Sequence, residues 1–141
     1  MKQMLPVTVL AISGLLVLHP FCAQQPLPKP LTLSLECNSG DCPLLQGVPQ
    51  TAGLRSGFVR LNPGETVGWH STTDHEEALV ILRGGGEARI EGRPARPFIA
   101  PAMVYIPPVT RHNIANTGHE LLEYVYVVAP TAAQPAQPQT N

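Results

Sequence analysis

Apolar residues in this chain come in short bursts, each ending at a glycine, proline or asparagine turn before it is long enough for a helix. The bursts are Gly57 to Leu61, Thr66 to Thr72, Ala78 to Leu82, Glu87 to Glu91, Met103 to Ile106, Arg111 to Ala115 and Leu121 to Ala129. Between them stand Asn62-Pro63-Gly64, Gly84-Gly85-Gly86, Glu91-Gly92-Arg93-Pro94, Pro107-Pro108 and Asn116-Thr117-Gly118. Short strands joined by tight turns specify an all-β domain, a sandwich or a barrel, and exclude an alternating α/β fold. At 141 residues the chain has room for one such domain on a single core.

The ends have a different character. MKQMLPVTVLAISGLLVLHPFCAQQP carries one cation at Lys2, an apolar core from Leu5 to Leu18, and the small residues Cys22 and Ala23. That is the layout of a secretory signal peptide, with cleavage expected after Ala23. An uncleaved anchor is the rival, since no charge separates Lys2 from Lys29, but the apolar core is shorter than the ~20 residues of a spanning helix. Expected boundaries are a signal at 1–23, a linker and N-terminal segment at 24–45, the barrel at 46–130 and a disordered tail at 131–141. Export would leave Cys37 and Cys42 as an even pair in an oxidising compartment, joined by a segment that bends at Gly40. A structural disulfide is the expectation, because CxxxxC is neither the CxxC of a redox site nor half of a zinc ribbon. Nine Lys plus Arg stand against ten Asp plus Glu, and the arginines from Arg55 to Arg111 do not cluster. This balance provides no electrostatic footprint for nucleic acid.

Residues 68–84, GWHSTTDHEEALVILRG, gather His70, His75, Glu76 and Glu77 just before an apolar run. In strand geometry His70 and Thr72 share one face, and His75, Glu77, Leu79 and Ile81 share another, with Glu76 opposite. A fold-over at Thr73-Asp74 would put His70, His75 and Glu77 in one cavity. His112 follows a turn stiffened by Pro107 and Pro108 and opens a strand in which His112, Ile114 and Asn116 share a face. Burying three imidazoles and a carboxylate without partners costs several kcal/mol, roughly 2–7 for a single neutral polar group. One metal ion satisfies all four, and nitrogen with carboxylate oxygen suits divalent Fe, Mn, Ni, Cu or Zn better than calcium.

At these residues the chain resembles the cupin superfamily, whose signatures are G-x5-H-x-H-x3-4-E-x6-G and G-x5-P-x-G-x2-H-x3-N. Gly64, His70, Glu77 and Gly84 meet the first, with Thr72 where the family has its second histidine. Pro107, His112 and Asn116 meet the second, with Pro101 and Val109 in place of its two glycines. The resemblance implies a double-stranded β-helix, or jelly-roll barrel, with a divalent transition metal in its mouth. His70, Glu77 and His112 match ligand positions and Thr72 does not; by parity, His75 is the candidate to replace the missing ligand.

Other residues read more plainly. Glu76 and His119 are surface positions, Gly84 to Gly86 is a turn and not a phosphate loop, and no Ser or Cys nucleophile has a hydrolase context. Trp69, Tyr105, Tyr124 and Tyr126 default to the core, with Tyr124 and Tyr126 on one face and able to line a pocket with their hydroxyls. Two functions remain open: a metalloenzyme of oxygenase, isomerase or decarboxylase type acting on a small molecule, and a non-catalytic module binding a metal or small ligand. Expected partners are a small-molecule ligand and, for a homodimer, a second copy of the chain. Neither nucleic acid nor, after signal cleavage, a membrane is expected.

Overall fold

The structure, a computed structural model, describes residues 27–131. The expected signal and nearly all of the expected tail lie outside those residues. Eight strands run in chain order: β1 (Gly40–Gln46), β2 (Arg55–Leu61), β3 (His75–Arg83), β4 (Gly85–Ile90), β5 (Arg96–Ile99), β6 (Ala102–Ile106), β7 (His112–Ala115) and β8 (Leu122–Pro130). They form one sheet in the order β1-β2-β8-β3-β6 and a second in the order β5-β4-β7, antiparallel throughout. This is the all-β jelly roll expected from the sequence.

Period-two alternation builds the core. In β3 the side chains of Glu77, Leu79 and Ile81 point in, and each is buried. They meet Val59 and Leu61 of β2, Leu122 and Tyr124 of β8, and Ile106 of β6. Ala88, Phe98 and Ile114 close the core from the smaller sheet. The chain passes between sheets at Gly84, whose φ of 76° suits glycine, and where an added Cβ would collide with the Leu121 carbonyl.

Two strands escape the sequence pattern, and one expected strand does not form. The additional strands β1 and β5 contain Pro43 and Pro97 and occupy the outer edges of their sheets, where a missing N–H breaks no ladder. The larger sheet therefore begins at Gly40, within the stretch expected to be a linker. Conversely, Thr66 to Thr72 is not a strand. Gly68 at φ 86° interrupts its extension, leaving only isolated bridges from Thr66 to Ala115 and from His70 to His112.

Cys37 and Cys42 form the expected disulfide, with their Cα atoms 5.7 Å apart. Arg60 holds this loop to β2: its Nη1 donates to the Cys37 carbonyl at 2.7 Å while its Nε pairs with Glu123 at 2.9 Å.

Candidate metal centre

The isolated bridge between His70 and His112 is where the site begins. Each residue's amide donates to the other's carbonyl at 2.9 Å, so the two imidazoles stand side by side with ring centroids 4.3 Å apart. Glu77, near the start of β3, reaches the same point from the other sheet. One ligand atom each from His70, Glu77 and His112 lies within 4.8 Å of the others.

Both imidazoles are oriented by the backbone. His70 Nδ1 lies 3.0 Å from the Gly68 carbonyl, and His112 Nδ1 lies 3.0 Å from the Thr110 carbonyl. A carbonyl only accepts, so each Nδ1 carries the proton and each neutral ring presents a bare Nε2. For His112 that lone pair faces the Glu77 carboxylate, Nε2 to Oε2 at 3.3 Å. Both atoms are buried and neither has a hydrogen-bond partner. Two acceptors in contact, out of reach of water, require a cation between or beside them, either a proton or a metal ion. Burial opposes the charged form of His112, but the Glu77 carboxylate and the Thr110 carbonyl outweigh it and hold the imidazole pKa above its ordinary value. In this donor set, two Nε2 atoms and a carboxylate oxygen with their second shell on backbone carbonyls, a divalent transition metal fits.

His75, expected as a fourth ligand, is not among the three residues brought together here. Parity puts it on the face of Glu77, but two residues along a strand is about 7 Å, and that offset carries it to the rim. There its Nδ1 is 2.8 Å from the Asp74 carboxylate, and its backbone pairs with Pro130. Thr72, at the position of the family's second histidine, donates its hydroxyl to the His75 carbonyl at 2.9 Å and so closes the turn. Three candidate ligand residues thus stand together.

Above them opens a cavity of about 280 Å³ walled by Val59, Val67, Ile114 and Val128. Tyr124 and Tyr126 line it, as their shared face suggested. Burial, followed by the charges of Glu77 and Asp41, drives the Tyr124 phenol far above its usual range. Burial and Asp41 push Tyr126 up to about 12, and its hydroxyl donates to Asp41 Oδ2 at 3.4 Å. Asp41 and Arg55 also line the cavity, and neither was singled out from sequence. Asp41 had a signal in the disulfide loop that fixes it; Arg55 had none.

Trp69 and Tyr105 are surface residues and not core, 46% and 58% exposed. Trp69 stacks under the Arg111 guanidinium at 5.5 Å, bracing the outer side of the His70–His112 bridge. Tyr105 donates to Glu76 at 3.1 Å. Asn116, the last residue of the second signature, is buried and donates to the carbonyls of Leu61 and Glu120, both at 2.8 Å. It ties loops together and does not ligate. His119 is exposed, as expected.

The comparisons with known proteins agree with this geometry. The sequence model of the cupin domain family matches residues 57–128, just over half of the 141-residue chain. The chain belongs to the cupin superfamily, in its type-2 branch. Among solved structures, a Cupin 2 conserved barrel domain protein from Salinispora arenicola is 28% identical, with 74% of this chain and 88% of that one covered and a TM-score of 0.56. A protein from Bacillus halodurans superposes with a TM-score of 0.63 at 19% identity, over 81% of this chain and 88% of its own. A predicted oxalate decarboxylase from Thermotoga maritima does so at 0.51 and 20% identity, over 67% and 95%. Among curated proteins no sequence match is found.

Proposed function

We propose that this protein is an exported cupin that binds one divalent transition metal through His70, Glu77 and His112 and acts as a metalloenzyme on a small molecule in the cavity above. The observation that carries the reading is the buried, mutually unsatisfied pair of Glu77 Oε2 and His112 Nε2. When bound, the ion supplies Lewis-acid or redox chemistry. The chain's own residues do the rest. Gly68 and Thr110 fix the ligand tautomers, the valines and Ile114 exclude water, and the Tyr124 hydroxyl stands ready to donate to an oxygen of whatever binds. With three protein ligands, coordination positions stay free for that molecule, which favours catalysis over storage. Export is supported by the signal-like N-terminus and by the Cys37–Cys42 disulfide, which persists in oxidising compartments.

Metal analysis of untagged protein tests the reading. One ion per chain is expected, with His112→Ala lowering affinity far more than His119→Ala. Folded protein that takes up no ion at neutral pH rules the reading out. Turnover of small acids, phenols or sugars by the loaded protein separates enzyme from binding module.

A further inference from the structure

The cavity over the metal centre has polar groups that the ligand set does not use, and they are placed at different depths. Tyr124 is 2% exposed and lines the cavity, yet no described residue accepts a hydrogen bond from its hydroxyl. Unlike Glu77 Oε2 and His112 Nε2, the hydroxyl is not sealed from solvent, so it is open to a ligand in the cavity. At the outer wall Arg55 also lines the cavity. Arg55 is exposed, and among the described residues no acid pairs with it, as none does with Arg83, Arg93 or Arg96; of these four arginines only Arg55 lines this cavity. The other acid on this wall, Asp41, is engaged by the Tyr126 hydroxyl. Between the two depths the wall is Val59, Val67, Ile114 and Val128.

We infer that the cavity takes a short-chain organic acid, with one carboxylate seated on Arg55 and an oxygen at the other end that accepts from Tyr124 beside the metal. This rests on the metal reading above. A carboxylate is the group that matches a guanidinium fork, and an anionic oxygen is a strong acceptor for a phenol that has no protein partner. The aliphatic walls suit methylenes between the two ends. A cavity of about 280 Å³ has room for a small organic acid. Tyr124 is a contact to ligand in this scheme, and Arg55 is the specificity-determining residue.

The test uses the full secreted chain loaded with cobalt(II), whose visible absorption reports oxygen ligands entering the metal's coordination shell. Metal is titrated first, without acid. Succinate and its neutral counterpart succinamide are then compared by calorimetry and by the cobalt spectrum. Succinate is expected to bind and to perturb the spectrum, with succinamide weaker by about tenfold or more. Arg55→Gln should weaken succinate by a similar factor while leaving metal affinity unchanged, and Arg55→Lys should retain part of the binding. Tyr124→Phe should keep the metal and the melting temperature but weaken succinate several-fold and diminish the spectral change. Equal binding of succinate and succinamide, or equal affinity in Arg55→Gln, overturns the inference. So does normal metal uptake with no binding of succinate, malonate or glutarate, which leaves the metal reading standing. Failure of metal uptake itself removes that reading and this inference with it.

Discussion

At the scale of single residues, the ligands are chosen by what their second nitrogen does. His70 and His112 each hand Nδ1–H to a carbonyl two positions back in the chain, whereas His75 has its Nδ1 against Asp74. His75→Ala should therefore leave metal affinity within about twofold of wild type, while His70→Ala should weaken it by tenfold or more, about 10–100-fold being usual even for outer-shell partners; calorimetric titration with zinc decides. Comparable losses in both variants would restore His75 to the site. Protonation of His112 gives a second expectation. Its folded pKa lies above the ordinary histidine value of about 6.5, so the stabilisation from the protonated His112–Glu77 pair is complete below about 6.5 and is lost as pH rises through the folded value. The metal displaces that proton and follows the opposite trend. The rise in melting temperature on adding metal should be small near pH 5.5 and grow toward about pH 8. A metal-induced shift that does not change with pH contradicts this account.

At the scale of elements, the turns between strands carry the departures from family pattern. Val109 replaces a glycine of the second signature and sits at φ 57°, in the left-handed region that costs a β-branched residue about 1–2 kcal/mol. Thr73, also at φ 57°, accepts a hydrogen bond from the Val109 amide, so two strained turns hold each other next to His70 and His112. Val109 is 81% exposed and little packing is lost with its side chain. Val109→Gly should stabilise the fold by about 1 kcal/mol after the entropy cost of glycine, measured by chemical denaturation. A loss of stability would show that the valine makes a contact that its exposure conceals. The same elements show how far a sequence can be read. Central strands β2, β3 and β8 follow the apolar alternation that burial on one face demands, and they were legible. The edge strands β1 and β5 were not, because an edge tolerates proline and needs no continuous apolar run. The segment carrying His70 looked like a strand and is an irregular loop, since one glycine at positive φ outweighs the residues around it. His70, Glu77 and His112 were legible from spacing. The position of His75 beside Asp74, outside that group, was not, because parity specifies a face and not a depth along the strand. Arg55 lies outside any signature, and only the pairing of β2 with β8 places it at the cavity.

At the scale of the whole molecule, the candidate metal centre lies where the two sheets meet. Glu77 belongs to the five-stranded sheet, His112 to the three-stranded one, and His70 to the loop between β2 and β3, which pairs with β7 at an isolated bridge. His70 and His112 are 42 positions apart (112 − 70). An ion held by both would close a ring of chain far longer than the Cys37–Cys42 loop, and the entropy removed from an unfolded chain grows with the size of the ring. The two cross-links thus have unequal consequences. Reducing the short one would free a few residues at the margin of β1; removing a bound ion would unpin the two halves of the barrel from each other. A ligand bound only to the folded form also suppresses every opening that would expose the interior. If the protein is exported as proposed, among proteases and without chaperones, a bound ion would determine its lifetime as well as its chemistry. Trypsin should cut the chelated protein sooner than the loaded one, while mild reductant alone changes little.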